Sequence, residues 1–351
     1  MTIQENVPLA RLTTLKVGGP ARHFADAASL DDARAALDFA RSRELPLFVL
    51  GGGSNLVVAD RGFPGLVLRV AVRGIEERRE NGKMIFEAAA GEDWDGFVAR
   101  TVERDCAGLE CMSGIPGTVG GTPVQNVGAY GQEVRETIDA VRALDLNDGQ
   151  VRELCNPACG FGYRTSIFNT SERGRYLVLG MSFALRPGGE PRLEYADLKK
   201  HFARHSGPPT LAETREAVRS IRLSKAMLIV EGDEDCRSAG SFFKNPVFKR
   251  EEFDDLCSRA AGRGVQPPRF VAANGKVKVP AGWLVEQSGF PKGYTRGAVG
   301  ISKRHALAII NRGGATAAEV VALKDEIQKR VAEEFGVALT PEPVFVGFEE
   351  N

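Results

Sequence analysis

The sequence predicts an α+β protein in which two α/β units precede a third, smaller α+β domain. Three observations lead to this prediction. Short apolar strands alternate with amphipathic helices along the chain. Helix-start signatures recur at Ser29, Thr210 and Thr316, each followed three residues later by an acidic side chain. A polar, proline-containing stretch at 207–209 marks a boundary before the last part of the chain.

We predict domains at residues 1–72, 73–222 and 223–351. The first two contain, in chain order, a helix from Leu30, strands over 47–50, 56–59 and 66–70, a strand over 86–90, a helix over 94–103, a glycine-rich loop over 108–131, strands over 138–146 and 176–185, and a helix from Thr210 to Ile221. The third contains helices over 250–261 and 281–287, a strand over 305–310, a long helix from Thr316 and a terminal apolar strand.

The composition is that of an ordinary globular protein. Of 351 residues, 43% are hydrophobic and 26% are charged, which argues against intrinsic disorder. Lys+Arg and Asp+Glu both number 46, so the charge balance does not demand a nucleic-acid-binding surface, although it leaves room for a local basic patch, and we expect no nucleic-acid partner. No apolar run approaches the roughly 20 residues of a membrane span, and the first residues do not form a secretory signal. We therefore expect a cytoplasmic protein without a membrane partner.

The six cysteines form no recognisable framework. Cys155 and Cys159 are the one close pair, and no second Cys/His pair accompanies them. We expect reduced thiols and no bound metal.

A first glycine cluster follows directly after a predicted strand. Gly51, Gly52, Gly53, Ser54 and Asn55 can present successive backbone N–H groups to an anion, because glycine tolerates the positive φ angles that such a nest requires. A pyrophosphate cradle and a simple tight turn between strands are equally good interpretations of this cluster alone. Its spacing is not that of a dinucleotide-binding Rossmann fingerprint.

A second cluster, residues 114–131, combines glycines and two prolines with Gln125, Asn126 and Tyr130. A flat heterocycle requires close backbone approach to its faces and hydrogen-bonding groups along its edge. This composition supplies both, whereas a connecting loop needs neither. A functional loop is therefore indicated, since structureless loops of this length are uncommon within domains.

Seven segments together resemble the UDP-N-acetylenolpyruvoylglucosamine reductase family, also called UDP-N-acetylmuramate dehydrogenase or MurB. They are residues 14–20 (TLKVGGP), 51–55 (GGGSN), 114–131, 162–168 (GYRTSIF), 240–246 (GSFFKNP), 281–287 (AGWLVEQ) and 339–343 (LTPEP). Each alone is weak, but they occur in family order and span nearly the whole chain.

The resemblance implies a non-Rossmann, PCMH-like FAD-binding domain of two subdomains, plus a substrate-binding domain. It implies non-covalent FAD, NADPH as electron donor, and UDP-N-acetylglucosamine enolpyruvate as the substrate, in peptidoglycan precursor synthesis. It also implies the subtype with an extra substrate loop, here near 186–206 and containing Tyr195. We expect a monomer.

The resemblance also implies site residues. Arg164 would anchor the substrate carboxylate, Ser241 would donate a proton, and Glu342 would stabilise developing charge, although Pro343 stands where the family commonly has valine. Substrate binding is implied for Tyr163, Tyr195, Lys225, Asn245 and Gln287. Cofactor binding is implied for Gly51, Gly52, Gly53, Ser54, Asn55, Gly114, Ile115, Pro116, Gly117, Gly120, Gly121, Gln125, Asn126, Gly128, Ala129, Tyr130 and Arg222.

From composition alone, most of these side chains have plainer interpretations, such as a surface cation for Arg164 and a turn serine for Ser241. The four histidines, His23, His201, His205 and His305, lie outside the motifs and are given no role. Two other functions are considered: a different FAD-dependent sugar or alditol oxidoreductase, and a non-enzymatic flavin- or nucleotide-binding protein. The lack of a histidine in the glycine loops argues against an oxidase with covalent flavin, and a non-enzymatic binder would not need Arg164, Ser241 and Glu342 together.

Overall fold

The computed structural model describes residues 1–348, so the last three residues of the predicted third domain lie outside the described residues. Within this range the helices are α1 Leu30–Ser42, α2 Trp94–Glu103, α3 Ala196–His201, α4 Leu211–Ser224, α5 Arg250–Ala261, α6 Ala281–Gln287 and α7 Ala317–Phe335. The strands are β1 Gln4–Pro8, β2 Pro20–Ala27, β3 Leu47–Leu50, β4 Leu56–Val58, β5 Phe63–Val70, β6 Ile75–Glu80, β7 Lys83–Ala89, β8 Cys106–Ala107, β9 Gly128–Ala129, β10 Gln132–Glu133, β11 Ile138–Asp145, β12 Val151–Cys155, β13 Tyr176–Pro187, β14 Val247–Phe248, β15 Phe270–Val271, β16 Val277–Lys278, β17 Thr295–Arg296, β18 Val299–Ile301, β19 Ile309–Asn311 and β20 Val344–Val346.

The chain divides into two compact units. The first unit contains Met1–Val7, Ala21–Gly53 and Pro64–Leu228, and the second contains Pro8–Pro20, Ser54–Phe63 and the chain from Ile229 onward. The three domains predicted at 1–72, 73–222 and 223–351 stay a prediction.

The first unit contains two sheets that share one apolar core. A four-stranded sheet has the order β1-β2-β5-β3, and β3 and β5 are parallel. A larger sheet has the order β12-β11-β13-β7-β6, with β8 paired to β13. Helix α1 begins where the Ser29 side chain accepts a hydrogen bond from Asp32 N, and its Ala33 and Ala36 are buried in the core. Trp94 and Phe97 of α2 pack against Phe183, which fixes the start of α2 beside the glycine-rich loop.

The second unit has its own core around α7. Val320, Leu323, Ile327, Val331 and Phe335 of this helix are buried, as the apolar stripe predicts. A complete capping box at Thr316 and Glu319 begins the helix, and Gly336 ends it with a φ of 69°. Small sheets complete the unit: β17-β18-β19, β14-β16-β15, and a parallel pair of β4 with β20.

The strand predicted over residues 305–310 is wrong over its first four residues, 305–308. The Ser302 hydroxyl accepts hydrogen bonds from the backbone N–H groups of Arg304 and His305, and Ala308 N donates to His305 O. These local bonds form a turn, so strand β19 begins only at Ile309. No helix within residues 1–348 is long and apolar enough to cross a membrane.

Candidate functional site

The first unit brings the two glycine-rich clusters into direct contact. A Cβ atom on Gly52 would lie 2.4 Å from Gly117 Cα, and one on Gly51 would lie 3.2 Å from Thr118 Oγ1. Gly120 is packed as tightly as Gly52, because a Cβ atom on Gly120 would lie 2.5 Å from Ala90 Cβ. Close packing therefore requires glycine at Gly52 and Gly120, and the contact of Gly52 with Gly117 joins the two clusters into one surface.

Asp95 in the first turn of α2 fixes the beginning of the second cluster. Its carboxylate accepts hydrogen bonds from Gly114 N at 2.6 Å and from Arg215 at 2.6 and 3.0 Å, and it also pairs with Arg219. Burial would raise the pKa of Asp95, but the bonds from Arg215 and Gly114 hold that pKa below its usual value of 3.8. The carboxylate is thus charged near neutral pH. Sequence reasoning missed this residue, because its arginine partners are over a hundred positions away.

Two buried polar atoms in this region lack a hydrogen-bond partner among the described residues: Thr118 Oγ1 and Arg222 Nε. Arg222 is only 4% exposed, and burial lowers the pKa of its guanidinium. One of its nitrogens donates to Met227 O at 2.7 Å, while Nε lies 3.4 Å from the position of a Cβ on Gly114. Unpartnered buried donors are costly, and an anionic ligand would satisfy them. The residues therefore fit a phosphate-bearing cofactor.

Asn126 links the second cluster to the turn that contains Tyr163 and Arg164. Its side chain is fully buried, and its two amide hydrogens are donated to Glu133 Oε2 at 3.0 Å and to Gly162 O at 2.8 Å. Both side-chain amide N–H groups thus donate to other groups of the protein, and cofactor binding by Asn126 stays a prediction.

Arg164 is held in a strained conformation. Its φ is +56°, a left-handed value that residues with a Cβ rarely adopt. One guanidinium nitrogen donates to Gly128 O at 2.8 Å, and the guanidinium carbon lies 5.5 Å from the centre of the Tyr163 ring. Asn126 and Tyr130 also have positive φ values, so three of the predicted site residues share this strain. Such strain is typical of functional positions.

The predicted substrate loop is attached to the glycine-rich region. Tyr195 is 46% exposed, and its ring meets the edge of Tyr130 with the ring centres 5.3 Å apart. Burial raises the pKa of Tyr130 to about 12, so its hydroxyl is neutral at physiological pH. Asp197 in α3 accepts a 2.5 Å hydrogen bond from Lys225 at the end of α4. Tyr195, Tyr130 and Lys225, three predicted site residues, are thus held in one region.

In the second unit, extended segments bring Ser241, Asn55 and Glu342 together. Glu342 N donates to Phe242 O at 2.9 Å, and the Asn55 amide donates to Glu342 O at 3.3 Å. Val344 N donates to Asn55 O at 2.9 Å. Pro343 lacks a backbone N–H, but its neighbours Glu342 and Val344 both form their backbone hydrogen bonds. The proline therefore leaves Glu342 paired with the segment that follows Ser241.

The remaining predicted substrate residues lie elsewhere in the second unit. The Asn245 side chain accepts a hydrogen bond from Ala281 N at 2.9 Å and so supports the start of α6, and Gln287 is the last residue of that helix. Ser241 has a partner that sequence reasoning missed: its Oγ lies 3.0 Å from His305 Nε2. The sequence holds no signal for this pair, since the two residues are 64 positions apart and share no motif.

Comparison with known proteins identifies the class first. Residues 21–154 match the family model described as an FAD binding domain, and residues 232–346 match the C-terminal domain of UDP-N-acetylenolpyruvoylglucosamine reductase. The protein is thus a flavoprotein with FAD as its cofactor, and its fold class is the predicted PCMH-like FAD-binding domain followed by a smaller α+β domain.

Relatives then define the family. The chain is 46% identical to the UDP-N-acetylenolpyruvoylglucosamine reductase of Thermobifida fusca, covering 97% of each chain, and 45% identical to that of Streptomyces coelicolor, covering 97% of this chain and 90% of the relative. A crystal structure of the enzyme from Thermus caldophilus superposes with a TM-score of 0.63 at 26% identity and covers 98% of this chain and all of that one. The chain belongs to the UDP-N-acetylenolpyruvoylglucosamine reductase (MurB) family, which confirms the resemblance seen in the sequence.

Proposed function

We propose that this protein reduces UDP-N-acetylglucosamine enolpyruvate to UDP-N-acetylmuramate with NADPH, as a step of peptidoglycan precursor synthesis. The observation that carries the proposal is the family match over 97% of the chain. The proposal includes a cytoplasmic monomer that acts on this small molecule, with no nucleic-acid or membrane partner.

The glycine-rich surface of the first unit would hold the cofactor. The Gly51–Gly53 cluster contacts the 114–131 segment, and two buried polar atoms of this region, Thr118 Oγ1 and Arg222 Nε, have no partner among the described residues. Phosphate oxygens accept hydrogen bonds from such donors. The chemistry that FAD supplies when bound is hydride transfer from NADPH to the β-carbon of the enolpyruvyl double bond.

Arg164 and Glu342 act on the charge that forms next. Hydride addition at the β-carbon leaves negative charge on the α-carbon and its carboxylate. Arg164 binds this carboxylate through its planar guanidinium, which is prepositioned by the bond to Gly128 O. Glu342 would add to this as a neutral carboxylic acid that donates a hydrogen bond, and its main chain is held in place by bonds to Phe242 O and from Asn55.

Ser241 donates the proton that completes the reaction. A hydroxyl is a weak acid, so it requires a strongly basic acceptor, and the carbanion at the α-carbon is one. Tyr163, Tyr195, Lys225, Asn245 and Gln287 are proposed to bind the nucleotide and sugar. Lys225 is paired with Asp197, so an anionic diphosphate would replace that carboxylate as the lysine's partner.

Stopped-flow measurement of Ser241→Ala tests the proposal. Flavin reduction by NADPH involves no proton from Ser241, so its rate should stay within a few-fold of wild type. Flavin reoxidation by the enolpyruvyl substrate should slow by at least ~10²-fold, the lower end for a lost general acid. Ser241→Cys should be faster than the alanine variant, because a thiol still has a transferable proton. Equal slowing of both half-reactions would show that Ser241 is only structural.

A further inference from the structure

We infer that His305 is a positioning residue for Ser241: its Nε2–H group donates to Ser241 Oγ and so directs the hydroxyl proton toward the substrate. The two side chains are 3.0 Å apart and partly buried. The inference rests on the proposed function, because it gives His305 a task only if Ser241 is the proton donor.

The backbone holds both partners in register. Phe242 N donates to Leu307 O at 2.8 Å, and Asn311 N donates to Arg237 O at 2.9 Å, so the segment before and after Ser241 lies beside the segment that contains His305. An antiparallel bridge between Ser238 and Ile310 adds to this pairing. Contact between the two side chains is therefore built into the fold and does not depend on a flexible loop.

The turn that carries His305 is fixed by a buried side chain. Ser302 is completely buried, and its hydroxyl accepts hydrogen bonds from His305 N at 3.2 Å and Arg304 N at 3.1 Å. Ala308 N closes the turn by donating to His305 O at 3.1 Å. Arg304 is bound separately, by Asp233 and Asp235. The imidazole thus projects from a rigid turn that several independent bonds define.

The direction of the Ser241–His305 bond decides whether the serine can act. If Nε2 accepted, the hydroxyl proton would lie on the line to the imidazole and would be withheld from the substrate. If Nε2–H donates, the hydroxyl proton is free to point elsewhere. Neutral histidine has one N–H, so this requires the tautomer protonated at Nε2.

The same bond assists the transfer itself. When the Ser241 proton forms a bond with the α-carbon, the electron pair of the broken O–H bond remains on Oγ. The Nε2–H group stabilises this negative charge until a proton from water restores the hydroxyl. The geometry is that of a single oxyanion-stabilising donor, whose loss costs about 10²- to 10³-fold in rate.

Substitutions of His305 separate positioning from packing. His305→Phe keeps an aromatic ring without a donor, and His305→Gln restores an amide N–H at a similar reach. His305→Asn keeps an amide but ends short of Ser241. We expect the phenylalanine and asparagine variants to slow substrate-dependent flavin reoxidation by about 10²-fold and glutamine to recover at least about tenfold. Flavin reduction by NADPH should stay unchanged in all three. His23→Gln, the same change on β2, is the matched control.

A double variant tests whether the effect passes through Ser241. Adding His305→Phe to Ser241→Ala should slow reoxidation by no more than about twofold further, because residues that act as one unit are not additive. Independent losses, or a His305→Phe enzyme as fast as wild type, would overturn the inference. If His305→Phe fails to fold, the comparison of His305→Gln with His305→Asn takes its place. Equal rates of flavin reoxidation for these two variants would overturn the inference.

Nitrogen-15 NMR of histidine-labelled protein gives a readout apart from turnover. His305 should be protonated at Nε2, and its resonance should shift in Ser241→Ala but not in His23→Gln. A tautomer protonated only at Nδ1 would refute the inference. Failure of wild-type flavin to be reoxidised by the enolpyruvyl substrate would instead refute the proposed function, and thus the two failures can be told apart.

Discussion

Replacing Gly52 by alanine tests the surface formed by the two glycine clusters. The added Cβ would lie 2.4 Å from Gly117 Cα and 2.8 Å from Gly117 C, both backbone atoms that cannot rotate away. Ordinary contact begins at 3.4 Å, so the two clusters would have to separate by about 3.4 − 2.4 = 1.0 Å. Overpacking of this kind costs about 1–3 kcal/mol.

Because the cofactor is proposed to bind across both clusters, the cost should appear mainly in FAD affinity. A penalty of 1–3 kcal/mol corresponds to a dissociation constant raised about 5- to 150-fold. Gly51→Ala should have a smaller effect, since its Cβ meets only the Thr118 hydroxyl, at 3.2 Å. The control is Gly262→Ala at the end of α5, where φ is −59° and the nearest atom is 3.4 Å away.

The assay is titration of the apoprotein with FAD, followed by flavin fluorescence, together with thermal unfolding of each variant. We expect the order of FAD affinity to be Gly262→Ala, then Gly51→Ala, then Gly52→Ala as the weakest. Equal FAD affinity and equal melting temperature for Gly52→Ala and Gly262→Ala would refute the assignment of this surface.

Three other substitutions give further tests. In Gly121→Ala the added Cβ meets no protein atom within 4 Å. Weaker FAD binding in the same titration would therefore mean that the cofactor lies close to this position, and unchanged binding would remove Gly121 from the site. Asp95→Asn should lower the free energy of unfolding by about 2 kcal/mol, the value of hydrogen bonds to a charged group. Because the pKa of Asp95 in the folded protein is below its usual 3.8, the wild type loses this stabilisation as the pH falls below 3.8. Denaturant titrations at several acidic pH values should therefore show that the free energy of unfolding falls less steeply with pH for Asp95→Asn than for the wild type. An equally steep fall for both proteins would contradict this expectation. Tyr195→Ala should raise the KM for the enolpyruvyl substrate far more than it alters flavin reduction by NADPH, and an unchanged KM would exclude a substrate-binding role for the loop near 186–206.

Local features of the fold were predictable because they depend on near neighbours in sequence. The capping boxes at Thr210 and Thr316 place the starts of α4 and α7, and the apolar stripe of α7 identifies its buried face. The strand expected over 305–310 fails for a related reason: the Ser302 hydroxyl competes for backbone N–H groups, and apolar residues in a row do not reveal this.

Only those site residues that belong to a sequence motif could be predicted. Gly52 and Gly117 could be named as separate glycine-loop residues, but not as partners whose backbones touch. Asp95 and His305 could not be found at all, because each acts through a residue distant in sequence, Gly114 and Ser241 in turn. Such contacts arise from the tertiary fold, which hydrophobic periodicity and motif spacing do not reveal.

The most direct test of the account follows the absorbance of protein-bound flavin through two additions. NADPH is added first, without oxygen, and the enolpyruvyl substrate second. We expect bleaching of the flavin by NADPH and recovery of its absorbance on addition of the substrate, with one equivalent of UDP-N-acetylmuramate formed per flavin reoxidised. Bleaching without recovery would contradict it, and so would recovery that requires oxygen in place of the substrate.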